Sequence, residues 1–176
     1  MVAANFEASL AAVLKFEGGN DDDPEDHGGR TSRGITQREY NAWRREHGQP
    51  PEDVWKAPQS DIEMIYKKEY WTPWGDVFPV GIDFLYFDMA VNAGPYRATV
   101  LLQRALGVND DGRIGPVTRG AVAAADPKVL AANYTERRKQ FYRGLHQPRF
   151  IKGWINRANQ AWEIALAMID PPKAAT

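Results

Sequence analysis

The N-terminal segment alternates apolar and polar residues at the spacing of an α-helix. Four apolar residues fall on one face of that helix: Phe6, Leu10, Val13 and Leu14. Asn5 is a suitable N-cap, and Gly18 with Gly19 is a suitable end, because glycine readily adopts the left-handed conformation that closes a helix. Glu17 is the last residue before these glycines and continues the apolar stripe.

The same patterning predicts helices along most of the chain. Capping boxes at Thr36 to Glu39 and at Ser60 to Glu63 each mark a helix start. Further helices are predicted over residues 81–92, from Pro95, from Pro116, over 127–145 and over 154–168. No apolar run approaches the roughly 18 residues of a membrane span. We therefore predict an all-α fold with a minor α+β part.

The exception to this helical pattern is the segment from residue 18 to residue 36. It is first acidic and then rich in glycine and hydroxyl groups. Gly28 and Gly29 allow a tight turn, so a short irregular hairpin is predicted here. A calcium loop starting at Asp21 is excluded, because its sixth position would be Asp26 instead of glycine and its twelfth Ser32 instead of glutamate.

Glu17 and Asp26 are candidates for acid–base chemistry. Half-burial and the negative end of a helix dipole both disfavour the ionised form of a carboxyl group, which suits a general acid. Asp26 follows after enough chain to turn back and face Glu17. Two carboxyl groups and a hydroxyl arranged in this way can position water in glycoside hydrolysis. The alternatives are an ordinary helix-end glutamate and a solvated acidic turn.

The order of these residues resembles glycoside hydrolase family 108. The shared motif comprises EGG from Glu17, Asp23-Pro24, Asp26, Gly28-Gly29, Thr31 and GIT from Gly34. The resemblance implies an N-acetylmuramidase of the phage endolysin type, with a lysozyme-like helical fold and a short irregular hairpin after the catalytic glutamate. It implies Glu17, Asp26 and Thr31 as catalytic residues and no cofactor or metal. Since Thr31 lies one residue before the position expected in phage-type lysozymes, the third role stays open between Thr31, Ser32 and Thr36.

Four residues in this first part of the chain are candidate substrate contacts: Thr36, Tyr70, Trp74 and Asn92. Tyr70 and Trp74 belong to an aromatic turn, where such rings can stack on sugars or fill the core under the loop. Asn92 lies in an FD…N.G stretch that resembles the end of the family 108 module. Its alternative role is that of a helix C-cap before Gly94.

From residue 95 onward the chain resembles the peptidoglycan-binding module that commonly follows a family 108 domain. The matching residues are Gln103, Asp111, Gly112, Gly115 and Thr118. The resemblance implies Gln103, Asp111 and Thr118 as wall-binding residues, while Asp111-Gly112 also has the composition of a tight turn. We predict a catalytic domain over residues 1–92 and a helical binding module over 93–170. No flexible linker separates them, so they are expected to pack as one globule.

Composition excludes several classes of site and partner. The chain has no cysteine and only three histidines, which argues against disulfides, thiol nucleophiles and a histidine-rich metal site. Residues 128–157 hold eight bases and one acid. This basic half suits anionic envelope polymers, although a solvated helix face is the simpler interpretation. No nucleic-acid-binding motif and no membrane insertion are predicted, and a monomer is expected.

The expected partner is bacterial peptidoglycan, and the expected role is lysis. The first residues lack the basic and apolar regions of a signal peptide. An endolysin of this kind is expected to wait in the host cytoplasm until a holin-type pore opens the membrane; a muramidase that serves secretion is the related alternative. The competing function class is a non-catalytic module that binds cell wall or nucleic acid through the basic half.

Overall fold

The computed structural model describes residues 3–21 and 30–171. Eight α-helices, a 3₁₀ turn, a π-helical turn and three two-residue strands occur in this part of the chain. The helices are α1 (Ala3–Glu17), α2 (Gln37–Glu46), α3 (Gln59–Tyr66), α4 (Ile82–Ala93), α5 (Pro95–Leu106), α6 (Pro116–Ala124), α7 (Pro127–Gly144) and α8 (Pro148–Ile169). The strands are β1 (Asn20–Asp21), β2 (Thr31–Ser32) and β3 (Ile35–Thr36), the 3₁₀ turn is Val54–Lys56, and the π-helical turn is Lys67–Trp71. The mostly helical class predicted from the sequence is confirmed.

Contacts divide the chain into two compact units. One is Glu7–Glu69, and the other consists of the described parts of Met1–Phe6 and Tyr70–Thr176. This division follows spatial contacts and does not test the predicted domain boundary after residue 92, which stays a prediction.

The Glu7–Glu69 unit carries a small antiparallel sheet in the order β1-β2-β3. Asn20 pairs with Ser32, and Thr31 pairs with Thr36. Helix α2 starts directly after β3 through the predicted capping box: the Thr36 hydroxyl accepts a hydrogen bond from the Glu39 amide, and the Glu39 carboxylate accepts one from the Thr36 amide. The sheet is thereby fixed between the end of α1 and the start of α2.

Three predicted helix starts need correction. Asn5 lies inside α1, where its side-chain amide donates a hydrogen bond to the buried carboxylate of Asp83 instead of capping the helix. The capping box at Ser60 is absent, because α3 starts two residues earlier than that box predicts, at Gln59 after Pro58. Helix α8 begins at Pro148, well before the predicted residue 154. Proline at the first helical position has its φ angle already fixed for the helix.

Helix α4 is the core of the second unit. It packs against α5, α7 and α8, and nine of its twelve residues are buried. Its Asp88 carboxylate, which is completely buried, accepts hydrogen bonds from the guanidinium groups of Arg138 on α7 (2.7 Å) and Arg157 on α8 (2.8 Å). One carboxylate therefore ties three helices together through ion pairs.

Candidate active site

Glu17 is the last residue of α1, and its side chain is half-buried. The helix ends there because Gly18 adopts a positive φ of 74°, a left-handed conformation that favours glycine. Val13, one turn earlier, is completely buried. The apolar stripe therefore carries the Glu17 carboxyl group to the edge of the core, as the helical spacing predicts.

The Glu17 side chain lies against the turn between β2 and β3. A Cβ atom built on Gly34 would be 2.9 Å from Oε2 of Glu17 and 2.6 Å from the hydroxyl oxygen of Tyr66. Gly34 also has a positive φ of 80°. Any side chain at this position would both strain the backbone and displace the two polar groups. The glycine thus brings the Glu17 carboxyl group and the Tyr66 hydroxyl to the same point of the turn.

This turn is anchored from several sides. Arg33 and Gly34 both have positive φ, as in a type I′ hairpin turn, although arginine is unusual in that conformation. The Arg33 carbonyl accepts a hydrogen bond from the Tyr66 hydroxyl at 2.7 Å. The Arg33 guanidinium donates to the Ala57 carbonyl at 2.6 Å and to the Gln59 side chain at 2.8 Å. These bonds keep the backbone beside Glu17 in place.

The sequence did not single out Tyr66 or Arg33 for this role. Tyr66 lies on α3, where its helical spacing predicts only a core residue, and it is indeed buried. Its hydroxyl reaches the turn through the tertiary structure alone. Gly34 did carry a signal, as part of the GIT run in the family motif.

The three candidate hydroxyl groups differ in position. Ser32 and Ile35 are paired and both buried, so the opposite face of the sheet carries Thr31 and Thr36. The Thr36 hydroxyl donates to the Glu39 carboxylate at 2.8 Å and is occupied by the helix cap. Among the three, Thr31 is thus the partly exposed residue without a capping role. Its assignment as the third catalytic residue stays a prediction.

Asp26 lies outside the described residues, as do Asp23, Gly28 and Gly29. The predicted pairing of Asp26 with Glu17 therefore stays a prediction. The described chain resumes at Arg30, whose guanidinium stacks on the Trp55 ring at 3.6 Å and pairs with Asp53 at 3.1 Å.

Trp55 is a candidate sugar-stacking residue that the sequence analysis missed. Its indole nitrogen donates a hydrogen bond to the Thr31 carbonyl at 2.9 Å, and the residue is 39% exposed. The ring is thus fixed beside Thr31, with one face covered by the Arg30 guanidinium and part of its surface still open to solvent. An exposed aromatic ring held in one orientation suits stacking on a sugar. No signal in the sequence indicated this role, because Trp55 lies in a short 3₁₀ turn with prolines before and after it.

Tyr70, Trp74 and Asn92 belong to the other compact unit. Trp74 is half-buried and stacks on Phe78, with ring centroids 6.4 Å apart. Asn92 lies within the last turn of α4, and its side-chain oxygen accepts a hydrogen bond from the Tyr142 hydroxyl at 2.6 Å. The C-cap of that helix is Gly94, so the alternative role of Asn92 as a C-cap is wrong. The sugar-binding roles of all three stay predictions.

Gln103, Asp111 and Thr118 are brought together, and Gln103 is their centre. The Gln103 amide nitrogen donates to the Asp111 carboxylate (2.9 Å) and to the Thr118 hydroxyl (3.1 Å), and its oxygen accepts from the Gly112 amide (2.9 Å). Gln103 and Thr118 are 1% and 3% exposed. The motif therefore holds the turn between α5 and α6 from the inside. Of the three, only Asp111 has much surface for a direct wall contact.

The basic half is less available than its composition indicates. Arg138 and Arg157 pair with Asp88, Lys128 pairs with Asp170, and Lys139 pairs with Glu136. Four other bases are exposed: Arg137, Arg143, Arg149 and Lys152. The interpretation of Arg138 as a surface charge is wrong, because its side chain is completely buried.

Neither a metal cluster nor a membrane span is evident within residues 3–21 and 30–171. No group of three or more histidine, aspartate or glutamate side chains there is arranged to hold a metal ion. No helix in the same ranges is long and apolar enough to cross a membrane.

Comparisons with known proteins agree with this architecture. Residues 10–94 match the family model described as glycosyl hydrolase 108. The solved structure of Brucella abortus SagA is similar over 98% of this chain and 99% of its own, with 31% sequence identity and a TM-score of 0.84. The chain belongs to glycosyl hydrolase family 108. Residues 97–159 of this family 108 protein match the model described as a predicted peptidoglycan domain. No curated protein matches the chain significantly.

The family assignment confirms the resemblance found in the sequence. The protein is a glycoside hydrolase with a lysozyme-like fold, and peptidoglycan is its partner. This favours the enzyme over a non-catalytic binding module.

Proposed function

We propose that this family 108 hydrolase is an N-acetylmuramidase with Glu17 as its general acid. Its substrate bond is the β-1,4 linkage between N-acetylmuramic acid and N-acetylglucosamine. The observation that carries the proposal is the position of the Glu17 carboxyl group at the end of α1, against the anchored Gly34 turn. A general acid needs a carboxyl group that a rigid backbone holds at the edge of the core.

In the proposed reaction, Glu17 gives its proton to the glycosidic oxygen as the bond from that oxygen to the anomeric carbon breaks. The N-acetylglucosamine fragment leaves with a new hydroxyl group, and positive charge develops at the anomeric carbon of N-acetylmuramic acid. Asp26 stabilises that charge or positions the attacking water, and Thr31 assists it. Water supplies the oxygen of the new reducing end, and the proton it releases restores the acid.

The chemistry of the products tests the muramidase assignment. Purified sacculi digested by the protein and then reduced with borohydride should give muropeptides that end in reduced muramic acid, as seen by mass spectrometry. Fragments that end in reduced glucosamine would identify a glucosaminidase instead. Products with a 1,6-anhydro ring would show that no water is consumed and would contradict hydrolysis.

The biological role that we propose is lysis of a bacterial cell from inside. The protein would be held in the cytoplasm and reach peptidoglycan after a pore opens the membrane. The resemblance of its Glu17–Thr36 motif to phage endolysins supports this role, and a muramidase that serves secretion is the related alternative.

Attraction of anionic envelope polymers is a further part of the proposed function. Arg137, Arg143, Arg149 and Lys152 are exposed, and no acid occurs between Arg137 and Lys152. Exposed charges are screened over about 10 Å at 0.1 M salt. Lysis of permeabilised cells should therefore fall as salt rises.

Reversing two of these charges, Arg143→Glu with Arg149→Glu, should reduce both the rate of lysis and its salt dependence. Cleavage of a short soluble glycan is the internal control and should be unchanged, since no polymer has to be attracted. Normal lysis with an unchanged salt profile would show that the four bases only solvate the helix surface.

A further inference from the structure

An open apolar pocket lies in the second unit, between the chain after Trp74 and helix α6. Its volume is about 440 Å³, within the roughly 300–1,000 Å³ of small-ligand sites. Its walls include Val77, Phe78 and Pro79 on one side and Arg119, Gly120 and Val122 on the other. The first group belongs to the segment that matches the hydrolase family, and the second to the segment that matches the peptidoglycan domain.

The charge of the pocket points to an anionic ligand. Among the described residues that line it, Arg119 alone carries a charge, and the remainder are apolar side chains or glycine. Arg119 is exposed on the first turns of α6. A planar guanidinium binds a carboxylate with two parallel hydrogen bonds. The combination therefore suits a carboxylate with small apolar groups next to it.

The walls do not suit a sugar. Sugar sites need several polar side chains for the hydroxyl groups and an open aromatic face for stacking. The aromatic ring in this wall, Phe78, is only 6% exposed. It stacks on Trp74 and makes a T-shaped contact with Tyr86, with ring centroids 5.3 Å apart, so it is held within an aromatic cluster.

We propose that this pocket binds the carboxyl-terminal D-alanine end of a peptidoglycan stem peptide. Peptidoglycan presents methyl groups and a free carboxylate together at that end, whereas its glycan strand is rich in hydroxyl and acetamido groups. Arg119 binds the carboxylate, and Val77 and Ala123 contact the alanine methyl groups. This deepens the proposed function, since it rests on peptidoglycan as the substrate and assigns its peptide part to a site of its own.

Gly120 offers a direct way to block the pocket. A Cβ atom built on Gly120 would meet no atom within 4 Å, and its φ is ordinary for a helix. A leucine there can fill the pocket without displacing the fold, and replacing a glycine inside a helix favours that helix. Gly153 on α8 has the same free surroundings and lies outside the pocket lining, so Gly153→Leu is its matched control.

The test is a titration of the isotopically labelled protein with a soluble peptide, followed by nuclear magnetic resonance. The probes are diacetyl-L-lysyl-D-alanyl-D-alanine and the same peptide with its terminal carboxylate converted to an amide. The free acid should shift the signals of Val77, Val122 and Ala123. The amide should bind at least about fivefold more weakly, because it loses the charge-assisted contact with Arg119.

Three variants make the result specific. Arg119→Gln should weaken binding of the acid to the level of the amide, and Gly120→Leu should abolish binding of both peptides. Arg45→Gln removes an exposed helical arginine on α2, outside the pocket, and should bind like the wild type. The proposal is overturned if neither peptide binds, if acid and amide bind equally, or if Gly120→Leu binds normally.

The outcome is independent of the muramidase assignment. The peptide contains no glycosidic bond, so a wrong bond specificity would leave its binding unchanged. Conversely, if the peptide does not bind, the digested and reduced sacculi should still give fragments that end in reduced muramic acid, as the muramidase proposal predicts.

Discussion

Replacing Glu17 by glutamine is expected to slow peptidoglycan hydrolysis by about 100- to 10,000-fold, the contribution of a well-placed general acid. The two side chains have nearly the same shape, so the amide can occupy the same place against Gly34, but it has no acidic proton to give. Hydrolysis should be followed by the release of reducing ends from purified sacculi. The melting temperature should stay within a few degrees of the wild-type value.

Glu7→Gln is the matched control for this variant. Glu7 lies on the same helix and is exposed, so it should hydrolyse sacculi at the wild-type rate. Substantial activity of Glu17→Gln would instead place the proton donor on another carboxyl group, with Asp26 and then Asp23 the next to replace.

The same pair of variants tests the proposed role in lysis. Cells that produce the wild type or Glu7→Gln should stay turbid until their membrane is permeabilised and then clear. Cells with Glu17→Gln should stay turbid throughout. Clearing before permeabilisation would contradict the proposed confinement to the cytoplasm.

Truncation after Asn92 is expected to abolish folding of the second unit. The cut removes Arg138 and Arg157 and leaves the buried Asp88 carboxylate without its ion-pair partners. It also exposes the faces of α4 that pack on α5, α7 and α8. The fragment of residues 1–92 should be insoluble or should melt without cooperativity. A soluble fragment with a cooperative transition would show that residues 1–92 are an independent domain.

A point substitution isolates the ion-pair part of this effect. Asp88→Asn in the full chain should lower the free energy of unfolding by about 3–5 kcal/mol, because two guanidinium groups then share a neutral acceptor in a buried site. Denaturant unfolding measures the change. Asp110→Asn is the matched control: it removes an exposed pair with Arg104 and should change stability little. Equal effects of the two substitutions would contradict the importance of burial.

Local signals in the sequence determined much of the catalytic end of the molecule. The apolar spacing and Gly18 fixed the end of α1 at Glu17, since both act within a few residues. The capping box fixed the start of α2 at Gln37, and proline at the first helical position fixed the starts of α5, α6 and α7. The order of the glycines, carboxylates and hydroxyls was sufficient to identify the family.

The tertiary structure alone decided which polar groups meet. The helical spacing predicts Tyr66 only as a core residue, yet its hydroxyl anchors the turn beside Glu17. Arg138 reads as part of a basic surface, yet it is buried against Asp88, which lies on a different helix. Gln103 reads as a binding residue, yet its amide is used inside the turn that it supports. The partner of a polar side chain is determined by packing between segments that are far apart in the sequence. The residues next to that side chain in the sequence therefore do not predict the contact.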